Sequence, residues 1–103
     1  MSRLTFEWDP AKDAANRRKH GVSFEEAASA FADEHGRLIA DPDHSSDEDR
    51  FVLLAMSAGA RVLVVVHCWR ESDAVIRIIS ARRATRHEQR HYADPSRKDR
   101  HAT

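Results

Sequence analysis

Residues 61–69, RVLVVVHCW, constrain the fold more than any other stretch of the chain. Valine and leucine stand at consecutive positions, so the β-strand that such a run forms carries apolar side chains on both sides. A strand of that kind is the most buried-looking of the chain. The next apolar run, VIRIISA at residues 75–81, follows after the short polar loop 70–74, which is the spacing of an antiparallel hairpin. Upstream, residues 50–57 make a third strand, joined to the central one by a tight turn at Ala58-Gly59. Gly36-Arg37 opens a short strand over residues 38–40. Residues 4–8 alternate and read as a first strand.

Between the first two strands the periodicity changes to helical. Asp9 is placed as an N-cap with Pro10 at the first helical position, and Gly21 supplies a stop after His20. The apolar side of this helix is thin, with Ala11, Ala14 and Ala15, while Lys12, Asn16 and Lys19 share another side. Ser23 and Glu26 have the spacing of a capping box. Phe24, Ala27, Ala28 and Phe31 then follow at i, i+3, i+4, i+7, a core-facing helix. A last helix is expected over residues 84–93, ended by Asp94-Pro95. The order β-α-α-β-β-β-β-α predicts an α+β domain. Two N-terminal helices pack on one face of a curved, mainly antiparallel sheet of four to five strands, and a C-terminal helix follows. One domain over residues 1–94 is expected, with a frayed tail at 95–103.

At 103 residues, with 41% hydrophobic and 33% charged side chains, the chain can bury one modest core. Cys68 is the sole cysteine, which excludes a disulfide framework. The opening MSRLTFEWDP is too polar for a secretory signal, and the longest apolar run is too short to span a bilayer, so a cytoplasmic, membrane-free protein is expected. The net charge of zero hides an asymmetry. Residues 24–50 hold nine acids against Arg37 and Arg50, whereas residues 82–103 hold seven Lys/Arg against three acids. A chain polarised in this way can present a cationic face to nucleic acid, although the two segments could equally pair with each other.

The candidate site lies at residues 75–92. Arg77 interrupts an apolar strand, and a guanidinium is costly to bury without an anion or carboxylate. Arg82, Arg83, Arg86, Glu88, Arg90 and Tyr92 follow in a stretch read as helical, and arginines converging where a strand meets a helix suit phosphate. The competing reading is an edge strand followed by a solvated basic helix. His87 to His91 spell H-E-x-x-H, a zinc-protease pattern. Flanking Arg86 and Arg90 disfavour a dication there, and few residues remain to supply a third ligand, so a basic surface helix is the better reading. His20 at a helix C-terminus can transfer protons or cap carbonyls, and capping is preferred. His67 and Cys68 read as core residues, and Trp8 and Trp69 as half-buried core or base-stacking groups.

Two separate stretches together resemble the BrnT toxins. WDPAK at residues 8–12, Asn16, KHGVSFEEA at 19–27 and Phe31 are similar to the N-terminal signature of that family. RIISARRAT at 77–85, with Glu88 and Tyr92, is similar to its C-terminal signature. The resemblance spans roughly residues 6–93. It implies the fold of the RelE-like ribonucleases, which agrees with the element order above. It also implies the toxin of a bacterial type II toxin–antitoxin system: a metal-independent endoribonuclease without cofactor that arrests growth. Such a toxin is held by a BrnA-type antitoxin with a ribbon-helix-helix segment, as a heterotetramer that reaches operator DNA only through the antitoxin. RNA cleavage by 2′-OH attack needs a proton acceptor, a proton donor and cations on the phosphorane oxygens. Arg70, Arg77 and Arg82 are the expected phosphate-contacting groups. Glu48 or Glu88, and His20 or Lys19, are the expected proton-transfer groups. Lys12, Trp8, Arg83, Arg86 and Tyr92 are expected to contact RNA. Two other classes stay open on the sequence: a module that binds antitoxin or RNA without cleaving it, and a zinc hydrolase through His87 and His91.

Overall fold

The computed structural model describes residues 4–39, 50–70 and 74–94. The expected tail at 95–103, Glu48 and the acidic loop 41–49 lie outside the described residues. The elements are β1 (Thr5–Glu7), α1 (Pro10–His20), α2 (Phe24–Ser29), a 3₁₀ turn (Ala30–Ala32), β2 (Arg37–Ile39), β3 (Phe51–Met56), β4 (Val62–Arg70), β5 (Val75–Arg83) and α3 (Arg86–Ala93). They make one five-stranded sheet in the order β1-β5-β4-β3-β2, as the α+β reading requires. The strands β2 to β5 form an antiparallel meander, and β1 adds to the free edge of β5 in parallel. A parallel partner must be reached by a crossover, and α1 and α2 lie within it.

The valines of β4 are explained by packing on both faces of the sheet. On one face Leu63 and Val65 meet Val22, Phe24 and Ala27, with Ile76, Ile78 and Ala81 of β5 in the same cluster. On the other face Val64 joins Val52, Leu54 and Ala84, and Tyr92 of α3 packs against them. We call these the α1/α2 face and the α3 face.

The ends of α1 follow the sequence signals. Asp9 Oδ1 accepts the Ala11 amide at 2.8 Å, and Gly21 ends the helix at φ 71°, a conformation in which a Cβ is strained. Its packing differs from the expectation. Ala11 and Ala15 are exposed, and Asn16 is the buried residue of the helix. The Asn16 amide donates to Val22 O and Ala81 O, both at 2.8 Å, and accepts from the Ala81 amide at 3.2 Å. A helix with so little apolar surface is thus latched to β5 by one side chain that satisfies three backbone groups.

Two capping assignments also change. Ser23 caps α2 through the Glu26 amide at 3.0 Å, but the Glu26 carboxylate turns away to Arg61 Nε at 3.0 Å and the Ser57 hydroxyl at 2.7 Å. The reciprocal capping box forms instead at α3, between Thr85 and Glu88. Accordingly β5 runs on to Arg83, and α3 starts at Arg86 rather than at residue 84. Arg82 and Arg83 belong to the strand, not to the helix.

Candidate functional site

The strand register decides which side chains share a face. His67 pairs with Ile78 but Val66 with Ser80, so Ile79 is an extra residue in β5 with no partner on β4. Such a bulge shifts the alternation of every residue after it. Arg77 and Arg82 are separated by an odd number of positions and would face opposite sides of a regular strand. The bulge at Ile79 puts both on the α3 face, opposite Cys68 and Val64 respectively. Arg70 and Glu7 lie on this face as well, through the pairings Arg70↔Val75 and Glu7↔Arg77. Cys68 and Val64 are four residues apart, so Arg77 and Arg82 are separated by roughly 13 Å along the strand.

At one end of this row the Glu7 carboxylate bridges two cations. Its Oε2 accepts from Arg77 Nη1 at 2.9 Å and forms an ion pair with Arg70 Nε at 3.2 Å. The side chains of Glu7, Arg70 and Arg77 are 36%, 51% and 34% exposed, so the group is open to a solute. Further along, Arg82 forms a fork with Glu88, Nη1 to Oε1 at 2.8 Å and Nη2 to Oε2 at 2.9 Å. The Thr85 amide also donates to Glu88 Oε1 at 2.8 Å. These donors, Arg82 first, outweigh the opposing effect of burial and hold the Glu88 carboxyl down at about 2. The Arg37 Nη1 of β2 approaches His91 Nε2 at 3.4 Å on the far side of the α3 face. Glu7 and Arg37 were not singled out from the sequence. Glu7 sits in an alternating strand with nothing local to mark it; its significance comes only from pairing β1 with β5.

The other expected residues are dispersed. Arg61 Nη2 donates to Gly21 O at 3.1 Å, which fixes the C-terminus of α1, with Lys19 and His20, at the start of β4. Arg70 lies at the other end of that nine-residue strand, roughly 26 Å from its start. Lys12 is an exposed residue of α1. Trp8 belongs to the α1/α2 core, edge-on to Phe24 at 6.2 Å. The Tyr92 hydroxyl donates to Asp33 Oδ2 at 2.5 Å, and burial and that carboxylate push it up to about 12. Arg83 pairs opposite Leu63 and so falls on the α1/α2 face, and Arg86 is exposed at the first turn of α3. His87 and His91 line a shallow depression of about 240 Å³ with Arg90 and Asp94. The glutamate of that H-E-x-x-H stretch is Glu88, whose oxygens are both engaged, unlike a free base poised on water. His67 is buried: its Nδ1 donates to Val65 O at 3.2 Å, its Nε2 is unpartnered, and burial pushes its pKa below 6.5.

A small α+β domain whose sheet carries a row of half-exposed arginines beside a C-terminal helix has the make-up of a nucleic-acid-processing domain. Comparison with known proteins narrows this class. The family model described as "Ribonuclease toxin, BrnT, of type II toxin-antitoxin system" matches residues 8–88, and the chain belongs to that family. It is thus a ribonuclease toxin of the type II toxin–antitoxin class. The crystal structure of the Brucella abortus ribonuclease toxin BrnT superposes with a TM-score of 0.62 at 19% identity, covering 82% of this chain and all of that one, and shows the same fold. No curated protein sequence matches the chain. Among the described residues, no helix is long and apolar enough to cross a membrane.

Proposed function

We propose that the chain cleaves RNA as a metal-independent endoribonuclease, with the phosphate backbone lying along the α3 face of β5. The observation that carries this reading is the bulge at Ile79, which aligns Arg77 and Arg82 on one face in line with Arg70. Guanidiniums fixed in a row bind phosphate oxygens in pairs and stabilise the charge that builds on them as the 2′-oxygen attacks. Arg82 is aimed by its fork with Glu88. A carboxyl held at about 2 is a weak proton acceptor near neutrality, so Glu88 acts in this reading as a positioning group. Lys19 and His20, at the opposite end of β4, belong to a different part of the surface from Arg70 and Arg77. Exposed Arg86 extends the cationic surface beyond Arg82.

The partner is a BrnA-type antitoxin with a ribbon-helix-helix segment, which covers the arginine row and carries the operator contacts. A heterotetramer in the cytoplasm, and growth arrest when the antitoxin is missing, complete the reading. It is tested with purified protein and a single-stranded RNA, with and without EDTA. Cleavage that persists in EDTA and is lost in Arg77→Ala supports the proposal. Cleavage that EDTA removes and zinc restores would return the role to His87 and His91. RNA binding without cleavage would favour the non-catalytic module.

A further inference from the structure

We propose, on the footing of the ribonuclease reading above, that Glu7 is the proton acceptor for the attacking 2′-hydroxyl. Glu7 and Glu88, both paired with arginines of the α3 face, differ in one respect. Both oxygens of Glu88 are held by Arg82, and Oε1 also takes the Thr85 amide. Glu7 accepts its hydrogen bond from Arg77 Nη1 on Oε2, which is also the oxygen nearest Arg70 Nε, and its Oε1 accepts no hydrogen bond from the described residues. A carboxylate anchored through one oxygen and open through the other is oriented and available. That is what a general base requires. Arg70 and Arg77, 51% and 34% exposed, carry further guanidinium N–H groups that can donate to a phosphate. A phosphodiester seated on those donors places the adjoining ribose next to Glu7 Oε1.

The step balances within the RNA. The 2′-O–H proton passes to Glu7 Oε1 as the 2′-oxygen forms its bond to phosphorus. The P–O5′ bond breaks, the 5′-oxygen takes a proton from water, and the proton on Glu7 returns to solvent. The products are a 2′,3′-cyclic phosphate and a 5′-hydroxyl end. Glu7 also explains why a three-residue edge strand joins β5 in parallel at this level: the pairing Glu7↔Arg77 sets the base directly beside the phosphate-binding cation.

The test compares wild-type protein with Glu7→Gln and Glu7→Ala on a single-stranded RNA, and measures binding of the same oligonucleotide made of DNA, which lacks the 2′-hydroxyl. Glutamine keeps the size and the hydrogen-bond acceptor, so DNA affinity should stay within about threefold while kcat falls about a hundredfold or more. Added formate should restore part of the Glu7→Ala rate. Wild-type products should end in 2′,3′-cyclic phosphate. A Glu7→Gln variant that cleaves at nearly the wild-type kcat overturns the role of Glu7 and leaves the ribonuclease reading intact. A loss confined to KM and DNA affinity, with kcat kept, overturns it too, because Glu7 would then only position Arg70 and Arg77. Failure of the wild-type protein to cut RNA overturns both.

Discussion

Replacing Glu88 with glutamine isolates the contact that aims Arg82. In the native protein the Glu88 carboxyl is lowered from 4.5 to about 2, with the Arg82 hydrogen bonds as the largest cause. At about 1.4 kcal/mol per unit, the full shift corresponds to roughly 3 kcal/mol of stability. Arg82 is 34% exposed and Glu88 21%, so solvent screening removes a good part, and about 1.5 kcal/mol is the working figure. For a domain of this size that lowers Tm by roughly 6–12 °C. The sign follows from linkage. The folded-state pKa lies below the unfolded one, so the stabilisation is complete above 4.5 and is lost as pH falls toward 2. Melting followed by far-UV circular dichroism at pH 7, 5, 4 and 3 should therefore show a gap between wild type and Glu88→Gln that is constant from pH 7 to 5 and closes below. A variant that melts with the wild type at pH 7, or a gap that is undiminished at pH 3, would refute the assignment of Glu88 as an ionic anchor.

Other expectations follow from the same contacts. Arg77→Ala removes a half-exposed arginine whose partner keeps Arg70, so its Tm should stay within a few degrees of wild type, whereas Arg82→Ala should cost about 1–2 kcal/mol by urea titration because it strips the Glu88 fork. Asn16→Ala leaves the Val22 and Ala81 carbonyls and the Ala81 amide without their partner and should cost roughly 2–4 kcal/mol, with no isosteric apolar residue restoring it. Burial lowers the His67 pKa below 6.5, so the stability that neutral His67 permits is complete above pH 6.5 and declines as pH falls below it. His67→Leu should flatten that decline in urea midpoints measured between pH 7.5 and 5.

Much of the architecture was legible because local signals and packing agree. The double-sided apolar run of β4, the turn at Ala58-Gly59, and the Asp9, Pro10 and Gly21 boundaries of α1 all act within a few residues of themselves. What the sequence hid depends on contacts between distant residues. Asn16 sits among alanines and charges and gives no periodic signal, yet it latches α1 to β5 across sixty-five positions. The bulge at Ile79 has no glycine or proline to announce it, and it decides that Arg77 and Arg82 share a face. The Thr85–Glu88 capping box sets the start of α3, and β5 therefore runs on through Arg82 and Arg83. The same limit applies to the site. Arg70, Arg77 and Arg82 could be chosen as chemically apt residues, and the structure lines them up. Glu7 reaches Arg77 only through the pairing of β1 with β5, and the positions of Lys19 and His20 relative to Arg70 depend on how α1 docks on the sheet.

In the proposed function, RNA phosphates lie on the row formed by Arg70, Arg77 and Arg82. The most direct measurement is the salt dependence of binding to a single-stranded RNA carrying 2′-O-methyl groups, which cannot be cleaved by 2′-attack. For single strands the slope of log Kobs against log salt changes by about 0.7 for each phosphate contact. Arg70→Ala and Arg77→Ala should each weaken binding and each flatten the slope by about that amount, and the double variant by about twice as much. An unchanged affinity and slope in the double variant, with the fold intact by circular dichroism, would contradict the account.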